Sequence, residues 1–254
     1  MGQGAIVMRG LTIHALIFFL LCSESRGETA CVDPAALRHS AVSITRFFDD
    51  SERSAQPNLL GIEGTGWFRS PTTIVTVEHV VAAMGLSAQE WKVLTIQDGS
   101  DRWSIPVRIQ HVTGGSAEKL AVVELQSAIS VASSVSVRAS PLAPEDRLVT
   151  FVYPDREARS VSGRFVRYDT QGVFAGSALL EMYEGNNRLA IDHGASGAPV
   201  FDCEGRVAAV ITTVITQVFH TPFGDKRIST AWGTPNVVSV PVRELMDTSN
   251  GNAN

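Results

Sequence analysis

The residues with the clearest chemical potential are a serine set among glycines, within the segment Gly194–Val200 (GASGAPV). A serine hydroxyl becomes a covalent nucleophile when a neighbouring base takes its proton. The nearby glycines let the backbone bend so that successive N–H groups point to one spot, as oxyanion stabilisation requires. The segment therefore predicts an acyl-transfer site with Ser196 as nucleophile; the plainer interpretation is a turn serine.

A histidine that could serve as the base follows the apolar segment Ile74–Val77. His79 stands at the end of a buried type of strand, where a side chain can project into a cleft. Histidine is the side chain most often used as a general base. The alternative interpretation of His79 is an ordinary half-buried histidine.

Short β-branched segments bounded by Gly, Pro, Asp or Ser predict the elements that must position these residues. Helical periodicity is confined to a turn or two after His79 and a short stretch around Val242–Met246. The run Ala139–Asp146, with two prolines, predicts a linker between two sets of strands. The pattern is all-β, and both two packed barrels and one large sandwich satisfy it. The predicted strands are Ala41–Phe48, Thr73–Val77, Lys92–Ile96, Trp103–Ile109, Leu120–Leu125, Ser134–Arg138, Arg147–Tyr153, Ser160–Tyr168, Ala178–Tyr183, Ala198–Asp202, Arg206–Ile215 and Val237–Val242.

Composition excludes several function classes. The chain has 254 residues, of which 44% are hydrophobic and 19% charged, enough apolar material for one or two compact units. The net charge of -5 provides no basic field for nucleic acid. The sequence also contains no dinucleotide fingerprint, phosphate-binding loop, zinc helix or Gly-x-Ser-x-Gly elbow. We therefore expect no cofactor, no metal and no nucleic-acid partner.

The first 27 residues have the order of a secretory signal peptide. Arg9 precedes the apolar run Leu11–Cys22, and the small residues Ser25 and Gly27 follow. The run is shorter than a membrane-spanning helix, so we expect cleavage, no stable membrane span afterwards, and a secreted or periplasmic location.

Cleavage after residue 27 would leave Cys31 and Cys203 as the cysteines of the mature chain. Two cysteines in an exported protein predict one disulfide. The alternative is a pair of free thiols.

The chain resembles the trypsin-like, chymotrypsin-fold serine proteases, and most of all their bacterial high-temperature-requirement branch. Four segments carry the resemblance, in the family's order of histidine, acid and serine. They are Gly64–Phe68, Thr76–Val81, Leu120–Val123 and Gly194–Val200.

The resemblance implies two six-stranded antiparallel β-barrels with the active site between them and a short C-terminal helix. Residues 28–140 would form the N-terminal segment and first barrel, and residues 141–247 the second barrel and terminal helix. Residues 248–254 would be a flexible tail, and no peptide-binding domain would be appended.

The resemblance also assigns roles within the site. Ser196 would attack the scissile carbonyl, His79 would take and return the proton, and the N–H groups of Gly194 and Ser196 would form the oxyanion hole. No cofactor would be needed.

The specificity pocket follows from the same resemblance. Its base lies six residues before the nucleophile, which is Ala190 here, and its wall would be formed by Thr212, Thr213 and Val214. Because no carboxylate lies at the base, cleavage after small or medium apolar residues is expected.

The acid of the triad departs from the family pattern. Lys119 occupies the position of the family's aspartate, and a cation there would oppose the imidazolium formed during attack. A shift of one residue brings Glu118 to the acid position, provided that Glu118 lies in the loop before the strand. Asp98 and Asp101 are the fallback acids.

The sequence thus predicts an exported serine endopeptidase that acts on protein or peptide substrates through an acyl-enzyme. One alternative is a catalytically inactive protease-fold domain that binds peptides or proteins. Another is an exported β-sandwich binding module, in which His79 and Ser196 would lie far apart.

Overall fold

A computed structural model describes residues 31–54, 58–113, 118–153, 158–183, 191, 194–214, 216–221, 224–229, 235–243 and 245. The predicted signal peptide, residues 1–27, and the predicted tail, residues 248–254, lie outside the described residues. Two residues of the predicted terminal helix Val242–Met246, those at 244 and 246, also lie outside the described residues. Within the described part of this stretch, the Leu245 N–H donates to the carbonyl of Val242. In the part of the chain that is described, no helix has both the length and the apolarity to cross a membrane.

Strands dominate the described chain. Three short helices accompany them, with 3-10 turns at Arg38–Ser40 and Gly172–Phe174. The helices are α1 (Pro34–Leu37), α2 (Asp50–Arg53) and α3 (Glu78–Ala83). The strands are β1 (Ala41–Phe47), β2 (Gly61–Ser70), β3 (Thr73–Val77), β4 (Lys92–Asp98), β5 (Asp101–Val112), β6 (Leu120–Leu125), β7 (Arg147–Val152), β8 (Arg159–Tyr168), β9 (Ala178–Tyr183), β10 (Pro199–Phe201), β11 (Val207–Val214), β12 (Thr216–Thr221), β13 (Gly224–Ser229) and β14 (Val237–Pro241).

Twelve of these strands form two closed antiparallel barrels of six. The first has the order β1-β2-β3-β6-β5-β4, and the second has the order β10-β11-β14-β9-β8-β7. Strands β12 and β13 form a separate two-stranded sheet. The predicted chymotrypsin-like pair of six-stranded barrels is therefore confirmed, and the single sandwich is excluded.

The first barrel closes around large apolar side chains. Trp67 and Phe68 of β2, Ile74 of β3 and Ile96 of β4 are each at most 1% exposed. Burial of this apolar surface is the main force that holds the strands together.

One of the predicted strands is wrong, and the sequence did not predict strands β2, β12 and β13. Residues 134–138 make only an isolated parallel bridge between Val137 and Val207. The sixth strand of the first barrel is instead β2, whose glycines have low strand propensity. At Gly61, a Cβ atom would lie 2.2 Å from the Arg46 carbonyl oxygen, so close strand approach explains why glycine stands there.

One apolar cluster spans the two barrels, and a second lies within the second barrel. Phe151, Phe201 and Val210 of the second barrel belong to the same buried cluster as the first-barrel side chains. The Tyr153 hydroxyl donates to the carbonyl of Ala41 in β1. Burial raises the pKa of Tyr153, so this hydroxyl stays protonated as a donor between the barrels.

The N-terminal segment is tied to the second barrel by a disulfide between Cys31 and Cys203. The predicted bond is thus present, and the Val32 N–H beside it donates to the Cys203 carbonyl at 2.9 Å. The segment before β1 is therefore fixed close to the end of β10.

Candidate active site

His79 lies in the first turn of α3, directly after β3. Strand β3 is antiparallel to β6, with Val77 opposite Leu120. The Glu78 N–H continues this pairing by donating to the Lys119 carbonyl at 2.9 Å. The register therefore brings His79 next to the residue that precedes Lys119, which is Glu118.

Glu118 is the acid that contacts His79. Its Oε2 lies 3.6 Å from His79 Nδ1, and the two side chains are 30% and 47% exposed. The separation is that of a charge contact and is longer than a hydrogen bond. Glu118 lies two residues before β6 begins at Leu120, in the loop that the register shift required.

Lys119 and Asp98 have side-chain partners other than His79. Lys119 Nζ lies 3.7 Å from the Glu78 carboxylate, so the cation at the family's acid position has its own partner. Asp98 is only 5% exposed and lies 2.7 Å from His39 Nδ1. In the strand register Asp101 lies opposite Asp98, at the turn between β4 and β5. Of the acids weighed from the sequence, Glu118 is the one found against His79.

The serine loop, residues 194–198 before β10, contains two glycines with positive φ. Gly194 has φ 95° and Gly197 has φ 94°, values that L side chains rarely adopt. Gly197 also has no room for a side chain, because a Cβ atom would lie 1.9 Å from the Thr65 carbonyl oxygen. Ser196 is thus presented from a bend that alanine could not form without strain.

Strand β2 brings the histidine and the serine to one place. A Cβ atom on Gly64 would lie 2.7 Å from a methyl of Val80, the neighbour of His79 in α3, and 3.5 Å from the Ser196 carbonyl oxygen. The next residue, Thr65, donates its N–H to the Ser196 carbonyl at 2.9 Å. The missing side chain at Gly64 thus lets the helix and the serine loop pack against the same point of β2.

The Ser196 hydroxyl donates to the Thr212 carbonyl at 2.8 Å. Both Ser196 and His79 are described, and no hydrogen bond joins their side chains. In the described structure the Ser196 hydroxyl is therefore directed to a backbone carbonyl and not to the imidazole.

Of the predicted pocket residues, three lie on β11 and one lies outside the described residues. Thr212 is buried, and its hydroxyl donates to the Val238 carbonyl at 3.0 Å, so its backbone rather than its side chain faces the serine. Thr213 is half-buried, and Val214 ends the strand opposite Val237. Ala190 is the residue that is not described.

The predicted oxyanion donors flank the peptide between Gly194 and Ala195. Within the described chain, neither the Gly194 N–H nor the Ser196 N–H donates to a protein acceptor. The residues that the structure describes contain no group of three or more His, Cys, Asp or Glu side chains that could hold a metal ion. The candidate site thus contains the Ser196 hydroxyl, the His79 imidazole, the Glu118 carboxylate and backbone N–H groups.

Comparison with known proteins identifies the family. Residues 64–210 match the trypsin-like peptidase domain, and this range spans more than half of the chain. The chain belongs to the trypsin-like peptidase family. The match begins at Gly64 and includes His79, Glu118 and Ser196, so the predicted resemblance is confirmed.

Solved structures share this trypsin-like fold at low sequence identity. The active form of the Rv3671c protease from M. tuberculosis is 17% identical with a TM-score of 0.59, covering 87% of this chain and 83% of its own. An inactive form of the Rv3671c protease is 17% identical with a TM-score of 0.55, covering 87% and 92%. Deg5 is 15% identical with a TM-score of 0.53, covering 83% and 87%. No curated protein matches the chain by sequence.

Sequence reasoning missed two contacts of the serine loop, those with Thr65 and with the Thr212 carbonyl. Both join residues that are not neighbours in the chain, and in both the acceptor is a backbone carbonyl, which has no residue-type signature. The available signal for Thr65 was its own polarity, because it is the polar residue of the segment Gly64–Phe68 (GTGWF).

Proposed function

We propose that this chain is an exported serine endopeptidase that uses Ser196, His79 and Glu118. The observation that carries the proposal is the packing of the His79 helix and the Ser196 loop against Gly64 of β2, with a carboxylate 3.6 Å from His79 Nδ1. A nucleophile, a base and an acid that orients the base are the three parts that activated serine chemistry needs.

The reaction would proceed through an acyl-enzyme. Because Nδ1 faces Glu118, His79 would use Nε2 to take the Ser196 proton as Oγ attacks the peptide carbonyl. The N–H groups of Gly194 and Ser196 would hold the oxyanion. His79 would then protonate the leaving amine, and a water activated by the same imidazole would release the acid and regenerate the serine.

Glu118 would stabilise the imidazolium that forms during attack. Its carboxylate is partly exposed, so its charge acts through a screened medium and contributes less than a buried triad acid would. The proposed peptidase should therefore depend on Glu118 for rate rather than for substrate binding.

The hydrogen bond from Ser196 to the Thr212 carbonyl favours a second candidate function. A serine held away from the base is also what an inactive protease-fold domain that binds peptides would contain. The two candidates differ in one respect that can be measured, namely turnover.

Hydrolysis of fluorescently labelled, unfolded casein tests the proposal. The wild type should cleave it, and Ser196→Ala and His79→Ala should lose cleavage while keeping the circular dichroism spectrum of the wild type. Ser160→Ala, on the exposed face of β8, is the matched control and should cleave at the wild-type rate. Casein left intact by the wild type would overturn the proposal in favour of the binding domain.

For the specificity we propose cleavage after small or medium apolar residues. Ala190 would form the base of the pocket and the β11 residues Thr212, Thr213 and Val214 its wall. No carboxylate among them could pair with a lysine or arginine side chain. A peptide library should show preference for residues such as Ala and Val, and strong preference for Arg or Lys would contradict this assignment.

Export is supported by the signal pattern of residues 1–27 and by the disulfide, since such bonds persist in oxidising compartments. We propose a secreted or periplasmic location after removal of that segment. Mass spectrometry of the protein recovered outside the cytoplasm should give a chain that begins near residue 28. Recovery of the uncleaved chain from the cytoplasm alone would contradict this.

A further inference from the structure

Thr65 is a buried polar residue of the first barrel whose side chain reaches into the serine loop. It is 0% exposed, and its hydroxyl donates to the Gly194 carbonyl at 2.7 Å across 129 residues of sequence. Gly194 belongs to the proposed oxyanion hole. The Thr65 side chain of the first barrel thus binds the backbone next to Ser196, in the loop that leads into the second barrel.

The contact is one of three polar links made by the same residue. The Thr65 N–H donates to the Ser196 carbonyl at 2.9 Å. The Thr65 carbonyl in turn accepts from the hydroxyl of Thr76 at 2.7 Å, and Thr76 is also 0% exposed. Thr65 therefore binds the backbone carbonyls of both neighbours of Ala195, Gly194 and Ser196.

The local strand pairing explains why Thr65 is available. Strand β2 pairs with β3 from Trp67 onward, and on its other side Thr65 is opposite Ser43 of β1. From Trp67 onward, one edge of β2 is paired with β3. At Thr65 the backbone N–H on β2 binds the serine loop instead of β3. The close approach of Gly197 to the Thr65 carbonyl, which leaves no space for a Cβ atom, keeps this register in place.

The orientation of the peptide between Gly194 and Ala195 depends on such a link. Glycine populates positive and negative φ with similar ease, so Gly194, at φ 95°, does not fix its own peptide planes. A hydrogen bond to its carbonyl supplies the missing constraint. The N–H groups on either side of this peptide, those of Gly194 and Ser196, are the ones that must converge on an oxyanion.

We propose that Thr65 is a positioning residue that holds the Gly194–Ser196 backbone in the geometry that the oxyanion hole requires. This inference rests on the proposed peptidase function for its kinetic consequence, but the link itself is a property of the loop. The hydroxyl carries the role, and the methyl group contributes only packing.

The test compares three variants by the rate of labelling with a fluorophosphonate, whose phosphoryl oxygen occupies the oxyanion hole during reaction. Thr65→Val keeps the shape of the side chain but removes the hydroxyl, so the Gly194 carbonyl loses its hydrogen-bond donor. We expect its labelling rate to fall about ten- to a hundredfold, because one misplaced oxyanion donor has an effect of up to about a thousandfold. Thr65→Ser keeps the hydroxyl and should recover most of the rate.

Thr95→Val on β4 is the matched control, because it makes the same change at a nearly buried threonine away from the loop, and it should label like the wild type. Melting temperatures separate positioning from stability. Thr65→Ser leaves a methyl-sized gap and should melt below the wild type while labelling well. Equal losses of labelling in Thr65→Val and Thr65→Ser would overturn the proposal, as would wild-type labelling by Thr65→Val.

Hydrogen–deuterium exchange of the peptide that spans residues 194–198 tests the link without any need for catalysis. Exchange should be faster in Thr65→Val than in the wild type, Thr65→Ser or Thr95→Val. Unchanged exchange in Thr65→Val would overturn the inference. If the wild type is not labelled at all, the proposed function fails, and the exchange comparison alone decides whether Thr65 holds the loop.

Discussion

Val77 of β3 lies opposite Leu120 of β6, and this pair determines which acid meets His79. One step further along the antiparallel strands, Glu78 and Lys119 are joined by a backbone hydrogen bond of 2.9 Å and by an ion pair of 3.7 Å. Continuing the register places His79 beside Glu118 at 3.6 Å. The lysine at the family's acid position is thus paired with Glu78, while the Glu118 carboxylate lies against His79.

Glu118→Gln should lower kcat by at least about tenfold and at most about ten-thousandfold, the effect of removing the acid from a triad. The amide keeps the size of the side chain but cannot stabilise the imidazolium. KM should change little, because the carboxylate acts on His79 and not on the substrate.

Glu118→Asp provides the control for charge. It keeps the carboxylate but is one methylene shorter, so its kcat should lie between those of the wild type and Glu118→Gln. A wild-type kcat in Glu118→Gln would show that His79 acts without this acid.

Glu78→Gln should reduce kcat about two- to tenfold by leaving the Lys119 cation without its partner near His79. Both side chains are more than 40% exposed, so the effect is that of a screened charge and should shrink as salt is added. The double variant Glu78→Gln/Lys119→Gln removes both charges and should return kcat to near the wild-type value. A loss of rate in the double variant equal to that in Glu78→Gln would contradict the proposed pairing.

Gly197→Ala should destabilise the fold more than Gly172→Ala, although both glycines have positive φ. Gly172 has φ 75° and no atom within 4 Å of a Cβ position, so alanine there meets only backbone strain of about 1 to 2 kcal/mol. At Gly197 the added methyl would also meet the Thr65 carbonyl oxygen at 1.9 Å, which should add about 1 to 3 kcal/mol. Urea unfolding of both variants measures the difference, and equal losses would argue against the close approach of the loop to β2.

Replacing Cys31 and Cys203 together by serine should lower the free energy of unfolding by about 5 kcal/mol in the chain-entropy model. The bond closes a loop with a sequence separation of 172, so the unfolded chain gains much freedom when it is removed. Denaturant unfolding with and without reductant measures the effect. Reductant should destabilise the wild type and leave the double variant unchanged; an equal shift in both would contradict the account.

Residues within contiguous motifs were the predictable part of the site. His79 and Ser196 could be proposed as site residues because each lies in a short segment whose local pattern, an apolar strand end or a glycine-flanked turn, is visible in one stretch of sequence. The all-β class followed in the same way from short β-branched segments. Such signals depend only on neighbours in the chain.

The unpredictable part depends on contacts between distant residues. The choice between Lys119 and Glu118 required the register of β3 against β6, which a loop of uncertain length had left open. Strand β2 was missed because its glycines weaken the strand pattern, yet they are needed where Arg46, Val80 and Ile74 approach closely. The links from Thr65 and Thr212 to the serine loop were equally hidden, because tertiary packing alone brings them together.

The most direct test of the central claim is the reaction of the wild-type protein with a fluorophosphonate, followed by mass spectrometry of the labelled peptide. An activated serine should react to completion and carry a single adduct on Ser196, and His79→Ala should abolish the reaction, because the proton then has no acceptor. Labelling at another residue, or none under conditions in which a known serine peptidase reacts fully, would contradict the assignment of Ser196 and His79 as nucleophile and base.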